Sequence, residues 1–403
     1  MGISKEEPLR ILAADDSAVM RGIMRKLFAM HEEDRLSRLP PMELCGVAQD
    51  GVECLEAVGR LKPDVLVLDL EMPRLNGLDV LDRLRDENPG LPVIMCSSYT
   101  ERGARSTLEA LARGAADYVM KPSEQRDLAT ALQSLAQQLL PKIAALTRGR
   151  RRRGDDAAAA PSTKGEERSE RSGVPIEVVV IGLSTGGPSA LEQMLPRLPR
   201  DFPVPVLIVQ HMPKLFTGAL AERLDKCCAL RVIEAYDSAA VVPGTIWLAP
   251  GDSHMEVGIR RPGFGIDDGS STGRAARVKL HQQELLNHCR PSVDYLFHSA
   301  ARLYGAGTLA LMMTGMGADG LGGARAVHEA GGIVLAQDEA TSAVWGMPGR
   351  VAEAGIASAV LPLAAIAGEL KQRVNTGRAM RQAPGEHAVT AVVSRREGMH
   401  GLL

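Results

Sequence analysis

A turn rich in small residues joins an apolar stretch to a helical pattern near the middle of the chain. Glu177–Ile181 is followed by Gly182-Leu183-Ser184-Thr185-Gly186, so a serine stands in a Gly-x-Ser-x-Gly sequence. Small residues permit the tight turn of a nucleophile elbow, and the next helix start offers N–H groups to an oxyanion. The pattern predicts that Ser184 is a nucleophile; binding of phosphate by a glycine-rich turn is the alternative.

A serine nucleophile requires a base and a group that orients the base. His211 directly follows an apolar stretch and is expected at the same sheet edge as Ser184, whereas His254 is the competing base. Asp319 lies in the loop after the predicted strand Thr308–Met313 and can orient the imidazole. The chain order Ser, His, Asp differs from the Ser, Asp, His order usual in α/β-hydrolases.

The loop that holds Asp319 also fits a different kind of site. Gly315–Gly320 reads G-x-G-x-x-G between a strand and a helical pattern, and Asp338 follows 18 residues later. That spacing is typical of a dinucleotide fingerprint, so an NAD-dependent oxidoreductase is the alternative function. Against it, the Asp319 carboxylate would stand close to the pyrophosphate.

Polar side chains also follow four predicted strands in the first third of the chain. They are Asp15 and Asp16, Asp69, Ser97, and Lys121. Because ligands bind at the carboxyl ends of the strands in such sheets, these groups are expected to converge. Clustered carboxylates favour a bound cation, and Mg²⁺ prefers hard oxygen ligands. The cluster predicts attack of a carboxylate on phosphorus, with Lys121 and Ser97 on the phosphoryl oxygens.

Apolar strand patterns alternate with helical periods on both sides of one polar segment. The strands predicted before it are 9–14, 43–48, 65–70, 93–97 and 117–120. Alternation of this kind predicts parallel sheets, because parallel strands need crossover helices. We therefore expect an α/β protein with two doubly wound parallel-sheet domains, the second carrying a β patch near residues 245–281.

The predicted domains are 1–142 and 175–376, joined by a flexible linker at 143–174 and followed by a polar tail at 377–403. The linker prediction rests on composition, since residues 147–173 hold almost nothing to bury. Its run Arg150–Arg153 is able to contact nucleic acid or a membrane, although a solvated linker is the favoured interpretation.

Overall composition excludes several classes of protein. The 403 residues carry 47 Lys and Arg against 49 Asp and Glu, with 3% aromatics. This balance disfavours a surface built for nucleic acid, and the second half lacks the pattern of a DNA-reading helix. No secretory signal or run of about 18 apolar residues is present. Six cysteines without Cys-x-x-Cys spacing predict reduced thiols in a cytoplasmic protein without membrane insertion.

The first domain resembles the receiver domain of bacterial two-component response regulators. The segments that carry the resemblance are Asp15-Asp16-Ser17, Leu68–Pro73, Ser97-Ser98 and Lys121-Pro122. It implies a flavodoxin-like fold and phosphorylation by a sensor histidine kinase, with Mg²⁺ as cofactor. It further implies Asp69 as phosphoacceptor and metal ligand, Asp16 as metal ligand, the Glu71 backbone carbonyl in the same site, and Asp15 in support. Tyr118 falls at the family's switching aromatic and belongs with Ser97 and Lys121; a half-buried strand tyrosine is the alternative.

The second domain resembles the catalytic domain of the chemotaxis protein-glutamate methylesterases. The matching segments are Ile181–Pro188, Gln210–Pro213, Cys289–Asp294 and Met313–Gly320. The resemblance implies a Rossmann-like domain that hydrolyses glutamate γ-methyl esters on chemoreceptors, and deamidates receptor glutamines, without a cofactor. It implies Ser184 as nucleophile, His211 as base, Asp319 as orienting acid, and oxyanion donors at Thr185 and Met316.

Two sites in one chain suggest regulation of one by the other. The hypothesis is that the unphosphorylated receiver lies over the Ser184 cleft. Phosphorylation of Asp69 would then repack Ser97 and Tyr118 and loosen the contact between the domains.

Overall fold

A computed structural model describes residues 7–33, 39–122, 127–155, 174–259 and 276–382. The first domain alternates strands and helices throughout: β1 Leu9–Ala14, α1 Ala18–Glu33, β2 Met42–Ala48, α2 Gly51–Leu61, β3 Val65–Asp69, α3 Gly77–Glu87, β4 Val93–Ser97, α4 Glu101–Ala112, β5 Asp117–Met120 and α5 Leu128–Asp155. The strands pair in parallel in the order β2-β1-β3-β4-β5. This is a flavodoxin-like strand order, in agreement with the fold that the resemblance to receiver domains implies.

Local sequence determines where these helices begin. The Asp50 side chain accepts hydrogen bonds from Val52 N and Glu53 N at the start of α2, and the Thr100 side chain accepts one from Gly103 N at the start of α4. The central strand β3 is buried along its whole length, as expected of a parallel strand covered on both faces.

The second domain contains a larger sheet and a separate hairpin: β6 Val178–Leu183, α6 Gly187–Met194, β7 Val206–Gln210, α7 Lys214–Cys227, β8 Arg231–Glu234, β9 Thr245–Leu248, β10 His254–Ile259, β11 Ala276–His281, α8 Val293–Tyr304, β12 Thr308–Met312, α9 Leu321–Glu329, β13 Ile333–Gln337, α10 Met347–Glu353, β14 Ala359–Leu361 and α11 Leu363–Gln382. Seven parallel strands run in the order β14-β13-β12-β6-β7-β9-β8. The doubly wound fold is confirmed.

The predicted β patch is present, and its strands divide between two sheets. Strand β9 belongs to the main sheet, and only β10 and β11 form a separate antiparallel pair. Periodicity alone could not separate these cases, because a short apolar strand has the same pattern in either sheet.

The predicted linker also begins too early. Helix α5 continues from the receiver to Asp155, well beyond residue 142. Leu139, Ile143 and Ala144 recur at helical spacing and are buried against the receiver core, which carries the helix past the predicted boundary. The rest of that segment, 156–173, lies outside the described residues. The tail is predicted to begin at residue 377, but α11 continues to Gln382. Residues 383–403 lie outside the described residues.

The two domains are packed against each other. The Tyr118 ring of β5 stacks on the Phe216 ring of α7, with centroids 4.8 Å apart and planes 5° from parallel. Buried side chains of both domains, among them Leu111 and Leu220, belong to one continuous apolar cluster. Within the described ranges, no helix has the length and apolarity needed to cross a membrane.

Candidate active site and phosphorylation site

The order of strands brings three loops of the second domain together. β6 lies at the centre of the sheet, with β7 on one side and β12 on the other, so the chain reverses its direction of winding at β6. Crevices for ligands form at such switch points, outside the carboxyl ends of the strands. Ser184 follows β6, His211 follows β7, and Asp319 lies in the loop after β12.

Backbone contacts hold the turn at Ser184. Ser184 N donates to Thr314 O at 3.0 Å, and the Gln210 side-chain amide donates to Ser184 O at 2.9 Å. Gly186 has φ +76°, a conformation that favours glycine. The turn is therefore tied both to the loop after β12 and to the end of β7.

The loop after β12 approaches Ser184 closely. A Cβ at Gly315 would lie 2.9 Å from Ser184 Cβ and 2.5 Å from Met347 Sδ, so only glycine fits this position. The close approach places Met316 and Asp319 beside the serine turn.

His211 and Asp319 form a direct pair. His211 Nε2 lies 2.8 Å from Asp319 Oδ2, and Asp319 is 3% exposed. Asp319 also accepts hydrogen bonds from Ser292 Oγ at 2.6 Å, Val293 N at 2.6 Å and Asn287 Nδ2 at 2.8 Å. Burial would raise the pKa of Asp319, but its hydrogen bonds, those from His211, Ser292 and Asn287 among them, lower it. The carboxylate thus stays charged and fixed in orientation.

The contacts of the His211 ring shift its pKa. Burial by itself lowers the pKa of His211, but the hydrogen bonds to Asp319 and Cys289 outweigh burial and raise the pKa to about 9. Cys289 Sγ lies 3.6 Å from His211 Nδ1. Within the described ranges Ser184 Oγ is not hydrogen-bonded to His211, whose two ring nitrogens face Asp319 and Cys289. The pair is assembled, and the serine is adjacent but not yet joined to it.

The two predicted oxyanion residues lie at the boundary with the receiver. Thr185 Oγ1 donates to Asp117 Oδ2 of β5 at 2.6 Å, and both residues are buried. The Met316 side chain is partly buried against an apolar cluster that joins receiver residues to Val344 of the second domain. The Asp117 carboxylate is held in turn by Lys142 Nζ at 2.9 Å and by Tyr118 N.

The competing base, His254, has a structural position. It is fully buried, its Nδ1 accepts from Ser292 N at 3.2 Å, and its Nε2 lies 3.1 Å from Glu284 O. With both nitrogens engaged by the backbone, His254 supports the loop before α8 and is not placed to act on Ser184.

The dinucleotide alternative also fails on geometry. Asp319 is engaged by His211, and Gly315 is packed against Ser184, so the loop has no room for a pyrophosphate. Asp338, the acid expected on a ribose, instead accepts hydrogen bonds from the backbone N and Oγ1 of Thr341.

The acidic cluster of the receiver forms as predicted. Carboxylate oxygens of Asp15, Asp16 and Asp69 lie within 4.8 Å of one another. Lys121 Nζ lies 3.0 Å from Asp15 Oδ2 and 2.8 Å from Asp69 Oδ2. Burial and the Asp15 charge raise the pKa of Asp69 to about 6. Glu71 is exposed next to the cluster, where its carboxylate faces Arg102 at 3.5 Å.

This donor set fits a hard divalent cation. Asp15 Oδ2 is buried and, among the described residues, receives no hydrogen bond of good geometry, although the Lys121 ammonium is close. A buried carboxylate oxygen without a donor, beside two further carboxylates, is the arrangement that binding of Mg²⁺ would satisfy.

The predicted switch residues lie between this cluster and the second domain. Ser97 Oγ accepts a hydrogen bond from Thr107 Oγ1 of α4 at 2.7 Å and is buried. Tyr118 is buried against Phe216, so the alternative of a half-buried strand tyrosine is wrong. α4 also contacts the second domain, where Leu111 O accepts from Ser189 Oγ at 2.9 Å.

Several residues of the site were missed by the sequence reasoning. Asn287 and Ser292 donate hydrogen bonds to Asp319, and Gln210 donates one to the Ser184 carbonyl. Asp117 accepts one from Thr185 of the other domain. Ser292 lies in a segment that carries the family resemblance, which was the available signal. Asp117 gave none, because a strand residue that contacts a distant domain has no local pattern.

Comparison with known proteins assigns both domains to families. Residues 179–370 match the family described as CheB methylesterase, and residues 11–133 match the response regulator receiver domain. A protein-glutamate methylesterase/protein-glutamine glutaminase of Trichodesmium erythraeum is 41% identical, over 91% of this chain and 99% of its own length. A second such protein, of Caulobacter vibrioides, is 42% identical, over 88% of this chain and 96% of its own length.

A solved structure, the CheB methylesterase catalytic domain of Thermotoga maritima, is 41% identical with a TM-score of 0.45. It covers 49% of this chain and 99% of its own. Since both domains are matched in order and nearly the full length of the relatives is covered, the chain belongs to the CheB methylesterase family with an N-terminal response-regulator receiver domain.

Proposed function

We propose that this protein is a phosphorylation-activated serine hydrolase that removes γ-methyl esters from glutamates of chemoreceptors and also deamidates receptor glutamines. The observation that carries the proposal is the His211–Asp319 pair, 2.8 Å apart and set beside the Ser184 turn at the switch point of the sheet. Both reactions release a small leaving group, methanol or ammonia, from the same glutamyl carbonyl.

Ser184 is the nucleophile of the proposed reaction. His211 Nε2 donates to Asp319, so Nδ1 is the nitrogen that takes the Ser184 proton as Oγ attacks the ester carbonyl. The same nitrogen returns the proton to the methoxy oxygen, methanol leaves, and a glutamyl ester on Ser184 remains. Water, activated by His211, then releases the glutamate and restores the serine. Asp319 stabilises the imidazolium in both steps.

Thr185 and Met316 are the residues proposed to stabilise the oxyanion. Both lie in the loops that flank Ser184, and the close packing of Gly315 on Ser184 keeps the loop after β12 near the reacting carbonyl. Removal of one such donor typically costs about 10²–10³ in rate.

The receiver supplies the control. Asp69 is proposed as the phosphoacceptor, and Mg²⁺ would be held by the Asp16 and Asp69 carboxylates and the Glu71 backbone carbonyl, with Asp15 in support. When bound, the ion neutralises charge on the phosphoryl oxygens. Lys121 neutralises charge beside Asp69, as its position at 2.8 Å supports. A sensor histidine kinase is the proposed phosphodonor.

In the unphosphorylated state the receiver is proposed to inhibit by contact. The Thr185 hydroxyl is engaged by Asp117 and the Met316 side chain is partly buried, which supports restricted access of a substrate to both loops. Tyr118 lies on β5 and stacks on Phe216, and Lys121 directly follows β5 and pairs with Asp69. Strand β5 therefore connects the phosphorylation site to the contact with the second domain. Phosphorylation that repacks Ser97 and Tyr118 would loosen α4 and β5 from the second domain.

The test is release of methanol from methylated chemoreceptor by the full chain, with a small phosphodonor and Mg²⁺. Ser184→Ala is expected to lower the rate by about 10³-fold or more. Ser358→Ala is the matched control and is expected to retain the rate. Ser358 precedes the amino end of the outer strand β14, whereas Ser184 follows the carboxyl end of β6. Substantial methanol release by a folded Ser184→Ala protein would exclude serine catalysis.

A further inference from the structure

Cys289 is held in a fixed position beside the catalytic histidine. Leu286 and Cys289 exchange two backbone hydrogen bonds, of 2.9 and 3.2 Å, across a two-residue turn. The two turn residues, Asn287 and His288, have φ of +53° and +62°, and the Asn287 amide is anchored to Asp319 and Asp294. The turn therefore presents the thiol to His211 in a defined orientation.

We propose that His211 Nδ1 and Cys289 Sγ form a binding site for Zn²⁺, and that bound zinc reversibly inhibits hydrolysis. The sulfur and nitrogen lie 3.6 Å apart. In tetrahedral zinc sites, with Zn–S near 2.3 Å and Zn–N near 2.0 Å, two such ligands lie about 3.5 Å apart. The observed separation thus accommodates the ion with little movement of either side chain.

Asp319 completes the arrangement from the other side of the ring. Its carboxylate accepts the proton of His211 Nε2 and is itself fixed by Ser292, Val293 and Asn287. A carboxylate on the far nitrogen of a histidine ligand sets the tautomer and orients the ring toward a metal. In the neutral imidazole this leaves the Nδ1 lone pair on the side of the Cys289 thiol, and Asp319 acts as a positioning residue for the ion.

The surrounding charges permit a cation. Arg290 directly follows Cys289 in the sequence. Its guanidinium is directed to Asp252 at 2.6 Å and to the Gln283 carbonyl at 3.1 Å. Cys289 and His211 are each partly exposed, so an ion and its remaining waters can reach them. With two protein ligands, the site suits a reversible ligand more than a permanent structural ion.

Inhibition follows from the identity of the nitrogen. Nδ1 is the atom that takes the Ser184 proton in the proposed mechanism, and a coordinated lone pair cannot accept a proton. This part of the inference rests on the proposed function, whereas binding of the metal does not.

Binding is tested with Co²⁺ as a coloured probe for zinc, on the full chain in saturating Mg²⁺, which occupies the receiver cluster. The expected result is a thiolate-to-cobalt absorption band that saturates at one equivalent. The band is expected to vanish in Cys289→Ser and in Cys289→Ala, and to persist in Cys227→Ser, which alters an exposed cysteine as a matched control. A band that survives in both Cys289 variants overturns the proposal, whether or not the chain has esterase activity.

Inhibition is tested by methanol release in the presence of increasing Zn²⁺, each variant normalised to its own rate with a chelator. Loss of the soft ligand is expected to raise the half-inhibiting Zn²⁺ concentration of Cys289→Ser by at least about tenfold. Equal half-inhibiting concentrations in the wild type and in Cys289→Ser, with both proteins folded by circular dichroism, would refute the inhibitory site.

Discussion

Asp117 forms a hydrogen bond between the receiver and the turn that holds Ser184. Its carboxylate accepts the Thr185 hydroxyl at 2.6 Å in a buried contact, and a hydrogen bond to a charged group contributes about 1.5–3 kcal/mol. We call the arrangement with the receiver over the Ser184 cleft covered, and the arrangement with the receiver moved away open. Asp117→Ala removes the contact with Thr185, which exists only in the covered arrangement. A loss of about 2 kcal/mol shifts the balance between covered and open arrangements about 30-fold, since 1.4 kcal/mol corresponds to a factor of ten.

The measurement is methanol release without a phosphodonor. If covering inhibits and the covered arrangement dominates, Asp117→Ala is expected to raise this rate about 10- to 30-fold. The fully phosphorylated rate is expected to stay near that of the wild type, because the open arrangement lacks the contact. Arg105→Ala is the control: its pair with Glu222, at 3.4 Å, is at the exposed rim and contributes little. An unstimulated rate of folded Asp117→Ala within twofold of wild type would refute the reasoning.

Three further predictions concern the packing of Gly187, the phosphorylation of Asp69 and the pKa of His211. Gly187→Ala drives a Cβ into the Gln210 side chain, so we expect about 1–3 kcal/mol of destabilisation and lower activity; an unchanged thermal midpoint would contradict this. Asp69→Asn removes the phosphoacceptor, so a phosphodonor with Mg²⁺ is expected to leave methanol release unstimulated, and persistent stimulation would place the phosphate elsewhere. The base must be unprotonated, and the hydrogen bonds to Asp319 and Cys289 raise the pKa of His211 to about 9, so kcat/KM is expected to rise with pH through that value. Asp319→Asn removes the partner that raises the pKa and should move the inflection to lower pH; a profile that is flat from about pH 7 to 10 would argue against His211 as base.

Much of this fold could be predicted because its signals are local. In each domain the buried strands are short apolar runs, and Ser184, His211 and Asp69 stand at or just after strand ends, so the sheet edge at which these residues lie could be predicted from the sequence. The order of strands in a parallel sheet then brings those ends together without further information.

The remainder depends on contacts between distant parts of the chain. Asn287 acts through Asp319, 32 residues away, and Asp117 acts through Thr185, 68 residues away, and neither pair has a periodic signature. The extension of α5 was missed because a polar composition was taken to end the helix, whereas burial of Leu139, Ile143 and Ala144 sustains it. Local polarity predicts solvent exposure better than it predicts where a helix ends.

The central claim is that one serine carries the reaction and that the receiver controls access to it. The most direct measurement is the rate at which a fluorophosphonate labels the full chain, with and without a phosphodonor and Mg²⁺, with the modified residue located by mass spectrometry. The account predicts a single adduct on Ser184 that forms faster after phosphorylation of Asp69. Labelling of a different residue, or labelling of Ser184 at the same rate in both states, would contradict it.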